Sequence, residues 1–155
     1  MDGRIRPARP DEARALTALA HASKRHWGYP EHWIASWRDA LTLTPERIAS
    51  EPVFVAAEGE DLLGFYALEM QDGACSLEHM WVHPTAIGQG IGGALLAHAR
   101  ATAASLGADT LVIDSDPNAE AFYTRMGATR IGEVPAPVDG IPRVLPRLTL
   151  PTRAG

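Results

Sequence analysis

The residues able to do chemistry cluster in the second half of the chain. Gly88-Gln89-Gly90-Ile91-Gly92-Gly93 is a glycine-rich turn directly ahead of an apolar run, Ala94-Leu95-Leu96-Ala97. Glycines there let a ligand approach the backbone closely. If the apolar run opens a helix, its first N–H groups lack an internal partner. With the helix dipole they make a site for an anion, most simply a phosphate or pyrophosphate. Ahead of the turn, Glu78 and His79 stand in an otherwise apolar stretch; behind it come Asp114, Asp116, Asn118 and Tyr123. A carboxylate buried in such a stretch has a raised pKa, which suits a base working near neutrality. Strict alternation puts Glu78, Met80 and Val82 on one face of a strand, and Leu77, His79 and Trp81 on the other.

Three patterns compete for the turn. It is not a P-loop, because no Lys-Ser or Lys-Thr follows the glycines. Gly88, Gly90 and Gly93 match the dinucleotide spacing G-x-G-x-x-G. That motif should follow its strand directly and open a series of strand–helix units. Here His83 to Ile87 intervene and few such units follow. The third pattern runs from Val82-His83-Pro84 through Gly88, Gly90 and Gly92 to Ala94-Leu95-Leu96. It resembles the acetyl-CoA-binding motif of the GNAT acyltransferases, departing from it at Ile87, where the family carries Arg or Gln. Asn118-Ala119-Glu120-Ala121-Phe122-Tyr123-Thr124-Arg125-Met126-Gly127-Ala128 is similar to the second signature of that family. Two motifs in the right order, one helix and one strand apart, are far more specific than either alone. The resemblance is strong from Leu77 to about Gly132, extends to the N-terminal half in element order only, and is weak in the C-terminal strands.

The resemblance implies an α/β (α+β) fold: a mixed, mostly antiparallel sheet flanked by helices and splayed where Leu77–Val82 parts from Leu111–Ile113. It implies acetyl-CoA as co-substrate, with pantetheine in the opening on main-chain groups near Trp81 and Val82. The pyrophosphate then sits on the N–H groups of Gly88, Gln89, Gly90, Ile91, Gly92 and Gly93, and Asn118 holds the pantetheine arm. Tyr123 falls at the family position that donates a proton to the CoA sulfur, and Glu78 at about the site that takes one from the amine, with His79 the runner-up. The implied activity is N-acetylation of a primary amine, on a small molecule or peptide, by direct attack. By the same analogy small domains of this kind pair as homodimers. Two alternatives stand beside it: a non-catalytic acyl-CoA-binding module on the same fold, and a dinucleotide-binding oxidoreductase.

The elements that must position these residues follow from pattern. Arg4 to Ala8 is a short strand, and a helix runs from Pro10 to about His26, with Leu16, Leu19 and Ala20 facing a core. Gly28 and Pro30 break it, and a second helix starts at Pro30. Trp27, Tyr29, Trp33 and Trp37 crowd this stretch; they either pack the helices on the sheet or line an acceptor pocket. A short helix enters at Thr44-Pro45-Glu46. Val53–Ala57, Leu62–Met70 and Ala74–Val82 form a meander. A helix from about Gly90 to Leu106 stops at Gly107, and Leu111–Ile113 is a buried strand. Asp114 and Asp116 end that strand; they greet a cationic acceptor, or Asp116 caps the next short helix. Strands follow at Ala128–Val134 and Val144–Leu150. Pro146 predicts a bend or an edge in the last, and Pro151 to Gly155 reads as a loose tail. Arg143, beyond a Pro- and Gly-containing loop, is placed to steer a carboxylate.

Length and composition bound the rest. The chain has 155 residues, which predicts one domain over 1–155 with a real core. Its net charge of −5, with no basic patch, argues against nucleic acid as partner. No apolar run approaches a membrane span, and the start of the chain lacks the apolar core of a signal peptide. Cys75 is the lone cysteine, so no disulfide framework exists and a cytoplasmic setting is expected. No histidine pair has metal-ligand context, so no metal is expected.

Overall fold

The computed structural model describes residues 4–153. Ala154 and Gly155, the end of the expected tail, lie outside them. One sheet of seven strands has the order β1-β2-β3-β4-β5-β7-β6. The strands are β1 Arg4–Pro7, β2 Val53–Glu58, β3 Asp61–Gln71, β4 Ala74–Val82, β5 Thr110–Asp114, β6 Thr129–Pro135 and β7 Val144–Pro151. Every neighbouring pair is antiparallel except β4 and β5, which are joined through a crossover helix. Four helices, α1 Ala13–His26, α2 Glu31–Ser36, α3 Arg38–Leu41 and α4 Pro45–Ser50, precede β2. The crossover is α5 Ile91–Ser105, and α6 Glu120–Arg125 follows β5.

The two faces of the sheet carry separate cores. On one, Leu16, Leu19 and Ala20 of α1 meet Leu41 of α3, Ile48 of α4 and Val55, Phe65 and Ala67 of the sheet. On the other, Ile91, Leu95, Ala99 and Ala103 recur along α5 at helical spacing and pack on Tyr66, Leu68, Leu111 and Ile113. Thr44 accepts the Arg47 N–H and starts α4, as its sequence predicts. Gly107 ends α5 with φ of +91°, a conformation that favours glycine.

Three details position the site and differ from simple pattern. β4 pairs with β5 only at Cys75 and Ser76; from Leu77 to Val82 that edge of β4 has no strand beside it, while β3 still pairs its other edge. The sheet therefore opens where expected. Alternation fails at Glu78: Ala67 faces His79 and Leu68 faces Leu77, so Glu78 is the extra residue of a bulge. Leu77 consequently joins Met80 and Val82 on the α5 face, not His79 and Trp81. Finally, β7 is an interior strand, and the edge expected from Pro146 belongs to β6. The Pro146 carbonyl points to the β5 side and accepts the Ser115 N–H. Its missing N–H falls on that same side, beyond Asp114, where pairing with β5 has ended.

Candidate active site

A cleft of about 740 Å³ occupies the opening between β4 and β5. Its walls come from the C-terminal half of β4, the Ile87–Gly93 turn, α6, the end of β5, the C-terminal part of α1 and Arg143 ahead of β7.

The turn is built for an anion. Gly90 sits at the N-cap of α5 with φ of +81°, a left-handed conformation, and has no side chain to cap the helix. The first intrahelical bond comes only at Ala94, whose N–H reaches the Gly90 carbonyl, so the N–H groups of Ile91, Gly92 and Gly93 remain for a ligand. A Cβ on Gly92 would lie 3.3 Å from the Phe122 ring, tighter than ordinary packing, so a side chain there would press on α6. Gly88, Gly90, Ile91, Gly92 and Gly93 line the cleft, with Trp81 and Val82 beside them. Gln89 does not line it; its side-chain amide turns back to the Thr85 carbonyl. Ile87 lines it with an exposed side chain. The open β4 edge and the uncapped helix suit an extended, amide-bearing ligand that ends in a phosphate group.

Tyr123 is 6% exposed and lines the cleft from α6. Its hydroxyl makes no hydrogen bond with the described residues, yet no buried side-chain N or O lacks a partner, so it opens onto the cleft. Burial, with the Asp116 charge, pushes its pKa well above the ordinary tyrosine value, so it holds its proton at neutral pH.

Glu78, the bulge residue, lies on the stretch of β4 that lines the cleft, and Glu69, Arg47 and Glu51 surround its carboxyl. Desolvation pushes its pKa up, and the Glu69 carboxylate beside it pushes the same way. His79 packs near Phe65, on the face of α1, and its Nδ1 accepts a 2.9 Å hydrogen bond from the Trp81 indole. Burial, with Arg47 nearby, lowers its pKa to about 4. The His79 lone pair is thus occupied and weakly basic, which makes it a poor proton acceptor.

His79 also makes a stability prediction. Its folded-state pKa lies below the ordinary 6.5, so the unfolded chain binds its proton first as pH falls. Stability is therefore full above pH 6.5 and declines as pH falls through the window down to about 4. The loss is about 3 kcal/mol at most. Thermal melting between pH 7 and pH 5 should show a falling Tm, and His79→Gln should flatten that dependence.

The acceptor side holds a polar knot. Lys24 Nζ donates to Asp116 Oδ2 at 2.6 Å and lies 4.1 Å from the Trp37 ring centroid. The Tyr29 hydroxyl lies 3.0 Å from Asp116 Oδ1, and Arg143 Nη2 donates to the Tyr29 oxygen at 2.9 Å. Asn118 Nδ2 is drawn into the same knot, 3.0 Å from both Tyr29 and Asp116, while its main-chain N–H donates to Asp116, which caps the turn before α6. Burial pushes the Asp116 carboxyl up, but Lys24, the Asn118 N–H and Tyr29 outweigh it and hold it below the usual carboxylate range. Burial lowers the Lys24 pKa against the pull of Asp116. Asp114 forms a two-pronged ion pair with Arg147. Both acids expected to greet a cation are therefore already partnered.

Of the aromatic residues expected on the acceptor side, Trp27 lines the cleft. Tyr29 and Trp33 do not: Trp33 stacks on Tyr29, and Tyr29 meets Trp37 edge-on. They brace Trp37, which does line the cleft. Lys24 is a cleft residue that pattern reading passed over, and Trp37 is one whose place, packing or pocket, it left open. Lys24 had a signal, since it continues the core-facing series Leu16, Ala20 at i+4 spacing, where a charge is anomalous. Among the described residues no group of three or more His, Cys, Asp or Glu could hold a metal, and no helix is long and apolar enough to cross a membrane.

The sequence profile of the acetyltransferase (GNAT) domain matches residues 49–127. No curated protein sequence matches the chain. Among solved structures, a GCN5-related N-acetyltransferase from Rhodopseudomonas palustris is 20% identical with a TM-score of 0.79, over 96% of this chain and 95% of that one. The PaiA N-acetyltransferase from Thermoplasma acidophilum, in complex with coenzyme A, is 20% identical with a TM-score of 0.74, over 96% and 98%. YncA, a putative acetyltransferase from Salmonella typhimurium with its cofactor acetyl-CoA, is 20% identical with a TM-score of 0.70, over 100% and 96%. These likenesses establish a shared fold.

Proposed function

The chain belongs to the GNAT acetyltransferase family, and on that premise we propose that it moves an acetyl group from acetyl-CoA to the primary amine of a small molecule or peptide. The observation that carries this reading is the opened sheet: an unpaired β4 edge leading to an uncapped helix N-terminus. The edge suits the amides of pantetheine, and the N–H groups of Ile91, Gly92 and Gly93 suit the pyrophosphate. Asn118 keeps its side-chain carbonyl free of the knot, so it is the part of that residue available to the pantetheine arm.

In the reaction the amine nitrogen attacks the thioester carbonyl carbon. A C–N bond forms, the C–S bond breaks, and the electron pair leaves with sulfur. Glu78, directly or through water, accepts the proton the amine loses, and Tyr123 donates one to the departing thiolate. Products are the N-acetyl amine and free CoA. No covalent enzyme intermediate is needed. All the described strands share one sheet, which supports reading residues 1–155 as a single acetyltransferase domain. Cys75 is buried and unpaired, and burial raises its pKa, consistent with inert packing and a reducing, cytoplasmic setting.

Titration calorimetry with acetyl-CoA tests the cofactor half of this reading, with NADH as control. One-site micromolar binding of acetyl-CoA and none of NADH is expected; the reverse would install the oxidoreductase. Gly92→Val sharpens the test, because a side chain there collides with Phe122 and crowds the N–H groups. Acetyl-CoA affinity should fall by about tenfold to a hundredfold, the worth of lost hydrogen bonds to a charged group.

A further inference from the structure

Two cations converge on one carboxylate at the acceptor end of the cleft. Lys24 and Arg143 both reach Asp116, at 2.6 and 3.6 Å, and the three side chains are only 10%, 12% and 10% exposed in the order Lys24, Arg143, Asp116. Asp114, the next acid along, is held by Arg147. The knot therefore keeps one positive charge in excess in a poorly solvated place, an arrangement that costs free energy until an anion completes it.

The excess sits on Arg143. Lys24 is spoken for: Asp116 takes its short hydrogen bond, and the rings of Trp37, Tyr29 and Trp81 surround its ammonium at 4.1, 5.1 and 5.7 Å. Arg143 makes one hydrogen bond, from Nη2 to Tyr29, and its guanidinium lies 5.4 Å from the Tyr29 ring and 5.1 Å from the Trp37 ring. Its Nε and Nη1 have no partner among the described residues, and no buried nitrogen is left without one, so these N–H groups open onto the cleft that Arg143 lines. Nη2 has a second N–H, beside either Nε or Nη1, so one two-donor edge of the guanidinium is held in place yet unfilled, a geometry that matches a carboxylate. Glu78 lines the same cleft and offers the opposite charge to an ammonium group.

We propose that Arg143 binds a carboxylate of the acceptor, so that the acceptor is a small amine carrying its own carboxylate, an amino-acid-type compound. This rests on the N-acetyltransferase reading and names its substrate class. It replaces the cationic acceptor expected from Asp114 and Asp116. Trp27 and Trp37 supply an aromatic wall for an apolar side chain.

The test uses the full chain and acetyl-CoA with three matched sets of amines: methionine, phenylalanine and tryptophan, each with its amide and its decarboxylated amine. Rates are followed by free-thiol release and product mass. At least one acid should exceed its amide in kcat/KM by about 10- to 100-fold. Arg143→Met should bring that ratio toward one, and Arg143→Lys should leave an intermediate ratio, because it keeps charge without the fork. Amides or decarboxylated amines acetylated as well as the acids by the wild-type protein overturn the proposal while the N-acetyltransferase reading stands. No acetylation of any acid overturns it too; failure of acetyl-CoA to bind, measured separately, would overturn the underlying reading as well. The wild-type comparison decides the matter even if the Arg143 variants fail to fold.

Discussion

Tyr123→Phe should lower kcat by about 10²- to 10³-fold while acetyl-CoA binding stays within a fewfold of wild type. The substitution removes one oxygen that has no hydrogen-bond partner among the described residues and leaves the ring in place against Phe122. Stability should therefore change little. The phenol holds its proton at neutral pH, since burial raises its pKa above the ordinary value. It can donate to the thiolate as the C–S bond breaks, and Phe cannot. A loss in kcat without loss of acetyl-CoA affinity is the signature of an interaction made in the transition state. Equal turnover by wild type and Tyr123→Phe would remove the acid role and leave Tyr123 as a wall of the cleft.

Glu78→Gln should lower kcat/KM by about 10²-fold at neutral pH and abolish the acidic limb of its pH profile. The sign follows from partial desolvation and from Glu69, which both raise the Glu78 pKa. Activity needs the carboxylate, so it is lost as pH falls through that raised value, earlier than an ordinary glutamate would lose it. Removing Glu69, as Glu69→Gln, should move the limb to lower pH, because a like charge beside Glu78 disappears. An acidic limb that survives in Glu78→Gln would assign the base to another group. His79 is poorly suited, with its Nδ1 bonded to Trp81 and its pKa near 4.

Local signals made much of this architecture legible. Alternation in the meander, the glycine turn ahead of an Ala-Leu run and the caps at Thr44 and Asp116 gave the elements, because each depends on neighbours in sequence. The opening between β4 and β5 followed from the resemblance of two motifs. What sequence alone did not reveal depends on distant partners. The Glu78 bulge arises from register against β3, and it moved Leu77 to the other face. Pro146 sits in an interior strand because β5 stops short of it. The charge at the acceptor end is not legible in sequence, because Lys24 lies ninety-two residues from Asp116 and Arg143 reaches the same carboxylate from the loop ahead of β7. The bracing of Trp37 by Tyr29 and Trp33 likewise needed three dimensions to tell a cleft wall from its backing.

The central claim is acetyl transfer itself. The most direct measurement incubates the purified chain with acetyl-CoA labelled in the acetyl group and the amine set above, and follows the label by mass spectrometry. The account predicts that label appears on the amine nitrogen, in step with free thiol, at a rate that Tyr123→Phe reduces at least a hundredfold. Acetyl-CoA binding without amine-dependent release of CoA, with no label on any amine, would contradict it and leave a binding module on an acetyltransferase fold.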